Sequence, residues 1–462
     1  MSKSAATRAS DFVMEVQVGR LAPAGWRSAS EGGASGVGEV STTSQTSIGW
    51  VYGAVGLVVA GGVFQAGVLF GLGLLLGGLL GLAWVWSRFC LQNVTVERRF
   101  SQSRAFWGEE IEVYSAFTND KVLPVPWLNV EDEFPGPLPI TSEDVSYMHK
   151  PRRQVLGTSI SLNWYQRVTR QHVVKCSVRG EHEFGPIQIQ SGDIFGFFRR
   201  TGTIATPQTL IVYPRYVPVE RLGMPARQAF GDFKAVQHLA TDPLRLRGVR
   251  EYAYGDSPRY VHWKATARRG VMQTKLFEPA ATPQLLIFCN QETRARIWEG
   301  IDREALELTI TVAASIANHA LEEGYMVGLQ VNAFAPSSDR QVKLLPSRAP
   351  DQLTRILENL ALIRDWSGLS MEDLLDTERR TMPRGVTVVM VTSLVSSEML
   401  DVLLALRKAG HPVTLVEVVV AGSPGERAGG STGALEAQGI TYYRVQTVGK
   451  AADVEEISLS AG

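Results

Sequence analysis

Cysteine is scarce in this chain. Three occur among 462 residues, Cys90, Cys176 and Cys289, and none sits in a Cys-x-x-Cys pair. That spacing excludes a readable disulfide framework or thiolate zinc site and favours a reducing compartment. Net charge is missing too. The 46 basic and 46 acidic side chains cancel, whereas a dedicated nucleic-acid binder is usually basic overall. No Gly-x-x-x-x-Gly-Lys-[Ser/Thr] loop offers a phosphate cradle, and no His-Glu-x-x-His occurs among the seven histidines. No Ser/His/Asp or Cys/His set has a recognisable local context. These absences leave no catalytic, cofactor or metal residue to assign.

Charge is also absent from Ile48 to Trp86, where Gln65 is the one strongly polar side chain. At about 1.5 Å per residue that run is nearly 60 Å long, about twice the hydrocarbon core of a bilayer. Two short spans fit better, Ile48–Val63 and Val68–Trp86, turning at Phe64-Gln65-Ala66-Gly67. Glycines four apart (Gly49/Gly53, Gly67/Gly71, Gly73/Gly77, Gly77/Gly81) suit close helix pairing in lipid. Trp50 and Tyr52 at one end, and Trp84 and Trp86 at the other, suit interfacial belts. Arg88, Arg98, Arg99 and Arg104 follow the second span, so the positive-inside rule puts both termini in the cytoplasm. The expected location is the cell membrane, with the lipid bilayer as a partner.

Residues 1–47 are rich in Ser, Gly, Ala and Thr and read as a disordered tail. From 91 to 215 the pattern turns to period two, as in Val94–Arg98, Ile111–Tyr114, Ile160–Trp164 and His172–Val178, with turn residues between. That predicts an antiparallel β-sandwich of immunoglobulin-like type. Within it, Arg179–Pro186 and Ser191–Phe198 read as a hairpin and a tight Gly-Asp turn that buries Phe195 and Phe198. Residues 216–282 form a connector. From 283 to 450 strands and helices alternate. Leu285–Cys289, Tyr325–Asn332, Val386–Val391 and Val413–Val420 are apolar enough for strands covered on both faces. Helices are expected at Asp302–Glu323, capped by Asp302, and at Asp351–Ile363 and Ser396–Ala409. This predicts a mostly parallel, doubly wound sheet, and the element order resembles a von Willebrand factor A domain. Residues 451–462 read as a tail.

The connector holds the densest chemistry. Between Arg245 and Lys275 there are eight Lys or Arg and two acids, Glu251 and Asp256. Arg250, Glu251, Tyr252, Gly255, Asp256, Arg259, His262, Trp263, Lys264 and Arg268 form an Arg-x-Tyr-x-x-Gly-Asp-x-x-Arg-x-x-His-Trp-Lys-x-x-Ala-Arg pattern. Basic side chains interleaved with Tyr252, Tyr254, Tyr260 and Trp263 suit anions or acidic protein segments. They equally suit a clasp in which Glu251 and Asp256 accept from Arg259 or Arg268 while Trp263 packs between domains.

The pattern resembles the bacterial domain of unknown function 58 family, over roughly Leu91 to Thr293. The resemblance implies a membrane protein with a von Willebrand A-like C-terminal domain. It also implies association with MoxR-type AAA+ ATPases and with other membrane or von Willebrand A-like proteins. Such domains often hold Mg²⁺ or Mn²⁺ through an Asp-x-Ser-x-Ser loop. Here Asn290, Glu292 and Arg294 stand at those positions, a degenerate loop with too few oxygen ligands. Thr392 and Ser393 were placed to line a crevice beside it.

The leading expectation is thus a non-enzymatic, membrane-anchored scaffold or adaptor, with no cofactor and no nucleic acid, assisting assembly or maturation of envelope or protein complexes. One alternative is metal-dependent protein-ligand binding through the von Willebrand A-like domain. A second is an envelope hydrolase whose site assembles from distant residues.

Overall fold

The computed structural model describes residues 41–46, 48–141, 145–147, 153–204, 207–222, 224, 241–254, 256–279, 283–294, 296, 299–334, 341–363, 369–383, 385–420, 435 and 437–447. The expected tails therefore lie largely outside the described residues, 451–462 entirely and 1–47 up to residue 40. The chain divides into two compact units, Met1–Val212 and Tyr213–Gly462.

In the first unit, β1 (Ser41–Thr46) precedes α1 (Ile48–Val63) and α2 (Gly67–Phe89). The strand overturns part of the expected disordered tail. Its Ser/Thr-rich sequence shows no hydrophobic alternation, and its order comes from antiparallel pairing, Thr46 opposite Phe198 and Ser41 opposite Thr203. The second helix runs longer than Val68–Trp86, and among the described residues it is the one long and apolar enough to cross a membrane; α1 is shorter. The two helices pack together at Gly61 and Gly73, of which Gly73 is one of the expected positions. A methyl group at Gly61 would strike the Phe70 backbone, and one at Gly73 would sit 2.7 Å from the Val58 nitrogen. Gly49, Gly53, Gly67, Gly71, Gly77 and Gly81 have open space at that position.

The rest of the unit is strand: β2 (Val94–Phe100), β3 (Arg104–Phe106), β4 (Glu110–Asn119), β5 (Val125–Pro135), β6 (Ile140–Thr141), β7 (Val145–Tyr147), β8 (Arg153–Leu162), β9 (Arg167–Lys175), β10 (Gly180–Phe184), β11 (Ile187–Gly192), β12 (Phe198–Ile204) and β13 (Gln208–Tyr213). They form sheets ordered β1-β12-β11-β5-β8-β7, β2-β4-β9-β6 and β10-β13-β3. Alternation does the sorting: in β4, Ile111, Val113 and Phe117 are buried while Glu110 and Glu112 face outward. The two larger sheets share a core. Val94, Val96 and Phe117 of one meet Leu128, Val130, Ile187 and Ile189 of the other.

An ion pair crosses that core. Arg98 on β2 binds both carboxylate oxygens of Asp132 on β5, and both residues are buried. The guanidinium also lies 5.6 Å from the Phe134 ring and 5.9 Å from the Phe184 ring. Arg98 is therefore a core residue and not the free flanking charge expected beside the spans. Burial pushes the Asp132 carboxyl up to about 6, against the pull of Arg98. The Gly-Asp turn also differs from expectation. Phe198 is buried, but Phe195 is 55% exposed. Asp193 shapes this turn by accepting from the backbone N–H groups of Phe195 (2.9 Å), Phe197 (3.3 Å) and Phe198 (2.6 Å).

The second unit begins with a ribbon, β14 (Thr241–Glu251) and β15 (Gln273–Pro279), with α3 (Trp263–Arg269) between them. An α/β region follows: β16 (Gln284–Cys289), α4 (Arg303–Glu322), β17 (Met326–Phe334), β18 (Gln341–Ser347), α5 (Gln352–Ala361), α6 (Met371–Arg379), β19 (Thr387–Thr392), α7 (Ser397–Lys408), β20 (Val413–Val420) and β21 (Thr441–Thr447). The sheet order is β18-β17-β16-β19-β20-β21, parallel except for β18 at one edge. Asp302 caps α4 by accepting from the N–H groups of Glu304 and Ala305, and Gly324, at φ +86°, follows its end. Met371, Leu375, Met399, Leu403 and Leu406 of α6 and α7 pack on Leu286, Phe288, Val388, Met390 and Leu415 of the sheet.

Arg98→Ala strands the Asp132 carboxylate in the core, and we expect the first unit to lose about 3–5 kcal/mol at neutral pH, read by chemical denaturation. The carboxyl titrates at about 6 when folded, above its unfolded value, so its contribution to stability grows as pH falls through about 6 and is lost as pH rises through it. Asp132→Asn, uncharged throughout, should flatten that part of a melting-temperature profile between pH 4 and pH 8.

Candidate functional site

The ribbon is assembled from its own motif. Gly248 pairs with Leu276, Val249 with Lys275, Arg250 with Thr274 and Glu251 with Gln273. Asp256 is its hub. One carboxylate oxygen accepts from Arg250 Nη2 at 2.5 Å; the other accepts from Ala253 N at 2.9 Å and Thr274 Oγ1 at 3.3 Å. The Ala253 N–H first, and Arg250 next, hold its carboxyl below the usual range. Tyr252 donates its hydroxyl to the Asp256 carbonyl at 2.8 Å. His262 caps α3: its Nδ1 accepts from Ala265 N at 3.0 Å, and its backbone N–H donates to the Gln273 carbonyl at 2.7 Å. Gly270, at φ +71°, closes the helix.

The motif thus splits by role. Arg250, Tyr252, Asp256 and His262 build the ribbon. Arg259, Trp263, Lys264 and Arg268 project into solvent, as does Glu251. The expected clasp is corrected on two points. Asp256 takes Arg250 as its partner, six residues back across the turn, not Arg259 or Arg268. Trp263 is 70% exposed rather than packed away. Gly255 lies outside the described residues. Tyr254 is fully exposed, and Leu246, Val249, Val271 and Met272 are exposed as well. A two-stranded ribbon is marginal alone in water, and no residue of α3 is buried.

The second candidate lies at the C-terminal ends of β16, β17 and β19, where open parallel sheets hold ligands. Here it is filled by side-chain amides. Asn290 Nδ2 donates to Thr392 Oγ1 at 3.0 Å. Asn290 Oδ1 accepts from Asn332 Nδ2 at 2.9 Å and from Glu292 N at 3.0 Å. Asn332 Oδ1 accepts from Gln291 N at 2.8 Å. Asn290, Asn332 and Thr392 are all fully buried, so Thr392 braces the strand ends rather than lining an open crevice. Burial raises the Glu292 carboxyl, with Glu372 and Asp373 adding repulsion and the Met371 N–H opposing. Arg294 turns to the Glu299 carbonyl, 3.2 Å away. Among the described residues no group of three or more His, Cys, Asp or Glu is placed to hold a metal ion. The degenerate loop and the ribbon are therefore separate clusters. The sequence reading did not single out Asn332; its signal is the pair of amides, Gln330 and Asn332, in the otherwise apolar run Met326–Phe334.

Residues 248–438 match the model of a family described as "Protein of unknown function DUF58". That segment, under half of the chain, is similar to DUF58 domains. It takes in most of the β14–β15 ribbon, the motif and most of the α/β region, whereas the resemblance read from sequence lies earlier, over 91–293. A Bacillus subtilis (strain 168) relative, "Uncharacterized protein YeaD", is 23% identical over 296 residues, 62% of this chain. The match spans 65% of that relative's length. Solved structures similar to parts of the chain include a CARDB domain from Pyrococcus furiosus (11% identity, TM-score 0.17, 26% of this chain and 86% of that one). Salmonella alpha-2-macroglobulin reacted with methylamine is another (20%, 0.21, 27% and 9%). A cohesin module from Clostridium perfringens is a third (9%, 0.18, 26% and 95%). At these scores none carries an argument about this chain.

Asn290→Ala removes one donor and one acceptor from the buried network, leaving Thr392 and Asn332 short of partners. We expect a loss of about 1–3 kcal/mol for each group stranded, measured by denaturant titration of the second unit. Asp256→Asn should speed hydrogen exchange at Ala253 and Thr274 while leaving β16–β20 unchanged, as read by mass spectrometry.

Proposed function

We propose that this chain is a non-catalytic adaptor held in the cell membrane by α1 and α2 as a two-span hairpin, with both termini in the cytoplasm. Its DUF58 ribbon docks an acidic partner surface, that of a MoxR-type AAA+ ATPase, and the α/β region, of von Willebrand A type, contacts other membrane or envelope proteins. The observation that carries this reading is the division of labour inside the motif. Asp256 and Arg250 hold a frame from which Arg259, Trp263, Lys264 and Arg268 point outward. Aromatic rings beside guanidinium and ammonium groups suit recognition of carboxylate-rich protein surfaces. The apolar helix Gly67–Phe89 supports the anchor. The filled strand-end pocket supports contact over metal-dependent ligand capture, because neutral amides occupy the place of anionic ligands.

The test uses the full chain in lipid nanodiscs with the purified ATPase. Paired Arg259→Glu and Lys264→Glu substitutions should weaken binding about tenfold or more, and raised salt should weaken the unsubstituted complex. Trp263→Ala should act in the same direction. Unchanged affinity in all three arms would remove the ribbon as the docking surface.

A further inference from the structure

We propose that the end of the sandwich joined to α2 is seated in the lipid headgroup layer through three loops, 120–124, 163–166 and 193–197. This rests on the membrane-anchor reading above and adds a second contact to it.

Strand register puts the three loops on one side. Val94, the first residue of β2 after α2, pairs with Asn119 at the end of β4. The end of β4 pairs with the start of β9, Thr118 opposite Arg167. The start of β5 pairs with the end of β8, Val125 opposite Leu162. The end of β11 pairs with the start of β12, Gly192 opposite Arg199. Every loop that these ends leave therefore surrounds the foot of the helices.

Hydrogen bonds fix the loops there. Lys121 Nζ donates to the carbonyls of Cys90 (2.8 Å) and Gln92 (2.6 Å), just beyond α2. Tyr165 N donates to Lys121 O at 3.3 Å, and Asn119 Nδ2 donates to Asn163 O at 2.8 Å. In the third loop the Phe197 ring meets Trp50, near the start of α1, edge-on at 5.5 Å. Phe198 packs with Ala54, Leu80 and Ala83 of the helices.

What these loops display is apolar. Val122, Trp164, Tyr165, Ile194 and Phe195 are all exposed, with Trp164 at 65% and Ile194 at 60%. Outside residues 48–89, the described part of this unit exposes two other large apolar side chains, Phe106 and Val178, and both lie at the opposite end. Such clustering marks a contact surface. It is continuous with the exposed apolar flank of α1 and α2, through Trp50, Phe197 and Phe195. A helix pair in lipid brings this rim to the water boundary, where Trp and Tyr prefer to sit and where loop backbone still reaches water. The occupant that fits is the bilayer interface.

Single cysteines decide the matter. Cys90, Cys176 and Cys289 are buried, so Val122→Cys, Trp164→Cys and Phe195→Cys can each be labelled with a polarity-sensitive fluorophore on the full chain. Val178→Cys serves as the far-end control and Leu72→Cys, in α2, as the anchor control. The proteins are placed in vesicles of phosphatidylcholine and phosphatidylglycerol. We expect blue-shifted emission from the three loop labels, loss of that emission to a nitroxide borne near the lipid headgroup, and little loss to a soluble quencher. Val178 should report water and Leu72 the bilayer interior. If Leu72 reports lipid while the loops report water, this inference falls and the anchor stands. If Leu72 reports water, the anchor fails and the inference with it. Loop labels shielded from both quenchers mean that a protein or a second copy covers the rim, which also overturns it. Lipid quenching at Val178 would mark general adsorption and do the same.

Discussion

The Lys121 ammonium is the contact on which the first unit's geometry depends. It sits half-buried against the carbonyls that follow α2, where a helix leaves its last acceptors unpaired and a cation is favoured. Burial lowers its titration to about 8, so it is held there at a desolvation cost. In return a membrane-type helix passes into strand β2 through four residues, with no flexible linker. That junction ties the loop 120–124 to the end of α2.

The second unit solves a different problem. Its α/β region buries apolar strands on both faces and is complete in itself. Its ribbon is not: Asp256 supplies by hydrogen bonding the order that a hydrophobic core supplies elsewhere. A frame made this way leaves its aromatic and basic side chains free of structural duty. The strand-end pocket shows the reverse arrangement, in which the polar side chains are consumed by one another.

Much of this was legible in the sequence, for physical reasons. Leu285–Cys289 and Val413–Val420 announce themselves because strands covered on both faces are uninterruptedly apolar. Val420 closes its strand as expected, and Asp302 caps α4 as its position demanded. Period-two runs such as Ile111–Tyr114 revealed the sheets. What failed depended on partners distant in sequence or on neutral-looking residues. Strand β1 is Ser, Thr and Gln, ordered by β12 some 150 residues away. Helix α6 is short and strongly charged, and its Ser370 cap was the one local sign of it. The motif's residues were identified, but their pairing was not, because charge pairing across a turn cannot be read from composition. Of the glycines at four-residue spacing, Gly73 alone meets the other helix, because spacing gives a stripe and not the side that faces its neighbour, and Gly61 lies outside that pattern.

Strand β1 runs into α1 and α2 runs into β2, yet β1 belongs to one large sheet and β2 to the other. The helical pair is in effect the handle of a pair of tongs, each arm continuing into its own leaf. Arg98 on one leaf and Asp132 on the other join the two arms across the core. A displacement of either helix would therefore reach a different leaf of the sandwich.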